Sequence, residues 1–177
     1  SLQSAYGTTG TYSGSEYNLA TVTGSEGQTD SDDATTSYAC YAPVITKDAS
    51  ASYDERHDWD VEKTVTEPDD AFAGDPVGPW TWTIDIFETV EDQNFAVNGT
   101  IYVENPAGSP GSITVALADV LDDGTPVVLD CGGSVIVAPG ETETCGYSAV
   151  PDDASATLNT VTGTFNSIDF VATADVN

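Results

Sequence analysis

Phe95-Ala96-Val97-Asn98-Gly99-Thr100-Ile101-Tyr102-Val103-Glu104-Asn105-Pro106-Ala107 decides the fold class. Phe95, Val97, Ile101 and Val103 fall on alternate positions, with Asn98, Thr100 and Glu104 between them. A period of two puts the apolar set on one face of a strand and the polar set on the other. Asn105-Pro106 closes the run, because proline cannot donate to a sheet ladder and restricts the residue before it. The stretch is therefore a strand with one face turned to a core.

The same pattern repeats outward in both directions. Upstream, Trp80, Trp82, Ile84 and Ile86 alternate, and before them Tyr53, Trp59 and Val61 alternate with Asp54, Arg56, Asp58, Asp60 and Glu62. The three tryptophans, being in phase with their neighbours, read as core. Downstream, Ile113, Val115 and Leu117 follow the turn Gly108-Ser109-Pro110-Gly111. Asp122-Asp123-Gly124, Pro139-Gly140 and Pro151-Asp152-Asp153 are further turns. They separate the short apolar runs Val127–Leu129 and Val135–Val137 from the alternating Cys145, Tyr147 and Ala149. Ile168, Phe170, Ala172, Ala174 and Val176 form a last strand. Many short strands with turns between them and no helical period predict an all-β domain, two sheets packed as a sandwich over residues 43–177.

Residues 1–42 differ in composition, being rich in Ser, Thr, Gly and Tyr and poor in aliphatic side chains. Such a segment cannot bury enough apolar surface to fold alone. Thr11 to Thr23 is nevertheless β-prone, with Tyr17 and Leu19 on one face and Ala20 and Val22 on the other. It reads as a strand-like extension with Tyr12 near its start. The runs Gly24-Ser25-Glu26-Gly27-Gln28 and Asp30-Ser31-Asp32-Asp33 read as a loop.

Thirty acids face three bases in the 177 residues, a formal net charge of −27. That balance repels nucleic acid and anionic membranes, and it strains the compact state unless salt screens it or divalent cations neutralise it. No apolar run approaches the roughly 20 residues needed to span a bilayer. The chain contains no methionine, and Ser1 is expected to be a processed start, left by removal of a signal peptide. Together these features predict an extracellular, cell-surface protein. In that compartment cysteines pair by default. Cys131 and Cys145 flank two short strands and are the expected pair, leaving Cys40 free or bridged to another subunit.

The segment from Lys47 to about Gly163 resembles an immunoglobulin-like sandwich domain repeated in large bacterial and archaeal surface proteins. The resemblance rests on Tyr53, Arg56, Trp59, Val61 and Lys63, on the Phe95–Ala107 strand, and on Asp130-Cys131, Pro139-Gly140, Cys145-Gly146-Tyr147-Ser148-Ala149, Pro151-Asp152 and Asn159-Thr160-Val161-Thr162-Gly163. It implies a Greek-key sandwich with a cysteine pair, used on cell surfaces, and no particular activity. Residues 1–42 and Cys40 depart from the pattern.

Sites of chemistry are few. His57 is the sole histidine and has no evident nucleophile or second base, so it reads as a core or interface residue. Paired carboxylates for glycoside hydrolysis need a groove with aromatic platforms, which tryptophans in a core would not supply. The chain is therefore not expected to be an enzyme. No cofactor is expected. Calcium is the one metal that the acid pairs and clusters Asp30/Asp32/Asp33, Asp69/Asp70, Asp122/Asp123 and Asp152/Asp153 could hold, although none matches a calcium-loop pattern. Asn98-Gly99-Thr100 is a glycosylation sequon. Lys47, Arg56 and Lys63 are expected to pair with carboxylates. A sharper reading is a self-formed lysine–asparagine amide, as in some pilin-like sandwiches, with Lys47 or Lys63 joined to Asn159.

The expected function is that of a structural subunit of a pilus-like extracellular filament, a homopolymer. Its extension, around 11–23, would complete the sheet of the next copy, by strand addition through Tyr12, Tyr17, Leu19, Ala20 and Val22. The alternative is an adhesive or carbohydrate-binding module that uses Tyr12, Tyr17, Tyr38 and Tyr41.

Overall fold

A computed structural model describes residues 9–66, 72–74 and 78–176. Eleven strands and no helix occur among them: β1 (Gly10–Thr23), β2 (Thr29–Ala42), β3 (Val44–Lys47), β4 (Ser50–Val65), β5 (Trp82–Glu104), β6 (Ile113–Leu121), β7 (Val128–Leu129), β8 (Ser134–Val137), β9 (Thr142–Ala149), β10 (Leu158–Phe165) and β11 (Ile168–Asp175). The fold is all-β, and every pairing is antiparallel.

Two sheets share one core. One has the order β11-β10-β6-β8, and the other β3-β5-β9-β7, with β4 also on β5. Their inward positions meet in a cluster that includes Ile45, Val97, Ile101, Val103, Val115, Leu121, Val137, Val161 and Phe170. The alternation that opened the sequence is thus realised, with Val97, Ile101 and Val103 almost fully buried. Cys131 and Cys145 are bridged, tying the segment after β7 to β9. Asn105, at the end of β5, is buried, and its amide donates to the carbonyls of Gly111 and Val137. Among the described residues no helix is long and apolar enough to cross a membrane.

β3 and β4 follow one another along the same edge of β5, with Lys47 opposite Ile101 and Ser50 opposite Asn98. Between them Asp48 bulges onto the sheet. Its backbone N–H donates to the Thr100 carbonyl, its carboxylate accepts from the Thr100 N–H and the Tyr102 hydroxyl, and its own carbonyl accepts from Tyr147. Gly99 makes this approach possible, because a Cβ there would collide with the Asp48 carbonyl.

Two arms leave the sandwich. β1 and β2 pair only with each other, in register from Gly10↔Ala42 to Thr23↔Thr29 around a turn closed by the Gly24 N–H on the Gln28 carbonyl at 2.7 Å. The acidic run Asp30–Asp33 is strand, not loop. Its side chains are exposed, and cross-strand backbone hydrogen bonds hold the ladder without a buried face.

The second arm is the outer part of β4 with the first half of β5. Trp82–Ile86 and Phe95–Val103, two runs in the sequence, are one strand of 23 residues. The ladder slips between Ser52 and Asp54, opposite Asn94, whose φ is +58° and whose amide donates to Asp54. Such a bulge bends and twists a strand, and here it marks the point where β4 and β5 leave the core. The tryptophans are consequently not core residues. Trp59, Trp80 and Trp82 are 62%, 51% and 55% exposed. Their alternation is real, but among the described residues no second sheet covers it.

Candidate functional site: an interior lysine–aspartate–asparagine cluster and two exposed arms

Lys47, Asp119 and Asn159 occupy inward positions on β3, β6 and β10. The β6–β10 register sets Asp119 opposite Val161 and Leu121 opposite Asn159, so the acid and the amide lie on the core face of one sheet. Lys47 reaches them from the facing sheet, two residues after the buried Ile45. Its Nζ lies 2.6 Å from Asp119 Oδ1, and neither side chain touches water. The other oxygen of Asp119 accepts from Asn159 Nδ2 at 3.3 Å. Asn159 is wholly buried, and its Oδ1 has no hydrogen-bond partner.

The Tyr147 ring lies 4.4 Å from Lys47 Nζ, and its hydroxyl donates to the Asp48 carbonyl at 2.6 Å. Burial pushes the Lys47 amine below the usual lysine range, against the hydrogen bond and charge of Asp119 and the charge of Asp48. Burial also raises the Tyr147 hydroxyl above the usual phenol range, against the Asn159 amide. Breaking such a buried ion pair from one side costs several kcal/mol, on the order of 3–5, because it strands a charge in the interior.

Lys63 does not join this cluster. It sits on the second arm, its ammonium over the Trp82 ring at 4.4 Å. Arg56, on the same arm, pairs with Asp58 at 2.9 Å. His57 is 46% exposed there, its Nδ1 2.6 Å from Glu88, and is not a core residue. Asp119 escaped sequence reading as one acid among thirty. Its signal was phase, since it continues the inward series Ile113, Val115, Leu117 and precedes Leu121.

No family model matches the chain, and neither a curated protein nor a solved structure matches it. Function must therefore be read from this geometry.

The second arm is amphipathic. Directly paired residues in an antiparallel ladder share a face, so Val61/Ile86, Lys63/Ile84, Val65/Trp82, His57/Val90 and Trp59/Glu88 lie on one side. Arg56/Glu91, Asp58/Thr89 and Glu62/Asp85 lie on the other, where Phe87, opposite Asp60, is the one large apolar side chain. Val61, Trp82, Ile84 and Ile86 are each more than half exposed.

On the first arm the tyrosines divide between faces. Tyr12 and Tyr38 stand together, ring centroids 6.3 Å apart, on the face of Ala20 and Val22. Tyr17 and Leu19 lie on the opposite face with Tyr41. Cys40 is unpaired, opposite Tyr12. The four tyrosines thus form no single platform for a sugar ring.

The acid pairs serve as turn acceptors. Asp122 accepts from the Thr157 hydroxyl at 2.7 Å and backbone at 2.9 Å, Asp123 from Thr125, and Asp153 from the Ser155 N–H. Asp30 and Asp32 each accept from the next residue's N–H. Asp69 and Asp70 lie outside the described residues. Among those described, Asp130, Cys131 and Cys145 bring three metal-ligating residues together, but the two sulfurs are bonded to each other. Asn98 is exposed on β5.

Proposed function

We propose that this chain is a structural subunit of an extracellular, pilus-like filament, in which the two arms of one copy join it to the next. One observation carries the reading: the apolar face of the β4–β5 arm, with Trp59, Val61, Trp82, Ile84 and Ile86, is exposed although its other face is mainly polar and acidic. A large, contiguous uncovered apolar face marks an interaction surface. The occupant in this reading is a second copy of the chain, which carries exposed apolar side chains of its own, among them Tyr17, Leu19 and Val22. Two of the three basic side chains, Arg56 and Lys63, project from this arm, while the third, Lys47, is sealed inside. In a protein of net charge −27, Arg56 and Lys63 offset only part of the arm's own acids, so screening by salt must accompany assembly.

The N-terminal arm supplies the second joint. β1 already has β2 on one edge, so what it offers is its remaining edge, not a lone strand. Adding that edge to a neighbour's sheet gives backbone hydrogen bonds, and Tyr17 and Leu19 set the register. Contacts between different surfaces of successive copies do not close on themselves and so build filaments. The surface-repeat resemblance, the disulfide and the acidic composition fit the same extracellular setting.

Sedimentation of the double variant Val61→Asp/Ile86→Asp tests the reading. Monomers with an unchanged melting temperature are expected where the wild type assembles. Assembly equal to the wild type would remove the arm from the interface.

A further inference from the structure

Beyond assembly, the interior cluster carries a reaction. We infer that Lys47 and Asn159 join into an amide within the chain, with Asp119 moving the protons, so that β3 is covalently tied to β10.

The components meet the chemical needs of the step. A lysine becomes a nucleophile when desolvation favours its neutral form, and Lys47 has no water contact. A carboxyl that touches both reactants can relay protons, and Asp119 contacts Lys47 through one oxygen and Asn159 through the other. The Asn159 carbonyl oxygen is buried without a donor, an arrangement that costs free energy in a resting side chain and leaves that oxygen free to take up a proton during the step. Asn159 is the acyl partner because its amide has a leaving group, ammonia, whereas the Asp119 carboxylate would have to expel oxide or hydroxide.

The atoms balance as follows. The Lys47 ammonium gives a proton to the Asp119 carboxylate. The freed Nζ lone pair attacks Asn159 Cγ, the carbonyl electrons move to Oδ1, and Asp119 protonates that oxygen. Asp119 then takes a proton from Nζ and delivers it to Nδ2. The Cγ–Nδ2 bond breaks, the carbonyl reforms as Oδ1 returns its proton to Asp119, and ammonia leaves with that proton as ammonium. Lysine ammonium plus asparagine amide thus become one secondary amide plus ammonium, with Asp119 regenerated and no oxidant or cofactor required.

The consequence is mechanical. β3 is the first strand of the sandwich after the N-terminal arm and pairs with β5 alone. A pull on that arm would peel β3 away by its ladder, and an amide to β10 in the opposite sheet blocks this.

Intact mass of the reduced, denatured protein tests the inference. The expected mass is the sequence mass less one ammonia, with a proteolytic digest containing a branched peptide that joins Lys47 to Asn159. Lys47→Ala should have the full mass of its sequence. An undiminished wild-type mass would overturn the proposal. So would loss of one water, which places the bond at Asp119, or an ammonia loss that maps to Asn98-Gly99 and survives in Lys47→Ala. Should that variant fail to fold, the presence or absence of the branched wild-type peptide decides alone.

Discussion

Val61 and Ile86 stand directly opposite one another across the β4–β5 ladder, and both are about three-fifths exposed, at 60% and 62%. A cross-strand aliphatic pair of this kind normally lies over a core. Here it lies in water, and the arm that carries it gives the molecule its most testable optical property.

All three tryptophans, Trp59, Trp80 and Trp82, lie in or beside the β4–β5 arm and are at least half exposed. Intrinsic fluorescence therefore reports on the arm, not on the sandwich. Emission of the monomer should sit at the long-wavelength, water-exposed end. It should shift to shorter wavelength as concentration or salt promotes assembly, since at about 1 M salt charge repulsion is screened within about 3 Å. A fluorescence titration against salt checks this, and a constant emission maximum across the assembly transition would count against burial of the arm.

Two glycines should be intolerant of a methyl group. A Cβ at Gly163 would collide with Ile45 in the facing sheet, and one at Gly99 with the Asp48 carbonyl and the Tyr147 hydroxyl. Gly163→Ala and Gly99→Ala should each cost about 1–3 kcal/mol, the usual range for overpacking. Gly111→Ala, where nothing lies within 4 Å, should be close to neutral. Urea denaturation midpoints compare the three.

Acid should loosen the corner between β6 and β10. The Thr157 hydroxyl, and then the Thr157 N–H, hold Asp122 below the usual carboxylate range, and Ser155 does the same for Asp153. A carboxyl depressed in the folded state stabilises fully above its unfolded pKa of about 4, and the contribution disappears as pH falls through the lower folded value. Asp122→Asn should therefore melt below the wild type at neutral pH, with the gap closing under acid. Melting curves from about pH 7 to about pH 2 test it.

Much of the sandwich was legible because its strands obey a simple rule: alternate side chains meet a facing sheet. Val97, Ile101 and Val103 are buried as their phase requires, and the Cys131–Cys145 bridge follows from the strands between its ends. The same rule misplaces Trp59 and Trp82, because alternation reveals an apolar face but not what covers it. β2 was illegible for the converse reason. A strand exposed on both faces has no hydrophobic pattern, and its order comes from the register that the Gly24–Gln28 turn imposes. In the interior cluster, Lys47 and Lys63 were equal candidates in the sequence to partner Asn159, and the fold brings Lys47 to the carboxylate that Asn159 touches while Lys63 lies on the arm. Asp119 became distinguishable only once the β6–β10 register put it between them.

Electron microscopy of the whole chain in high salt, beside a version lacking residues 1–42 and beside Val61→Asp/Ile86→Asp, addresses head-to-tail assembly most directly. Filaments from the whole chain alone are the expected result, since each altered version loses one of the two joints. Monomers from the whole chain, or filaments from all three, would contradict the assignment of these arms as the elements that build the fibre.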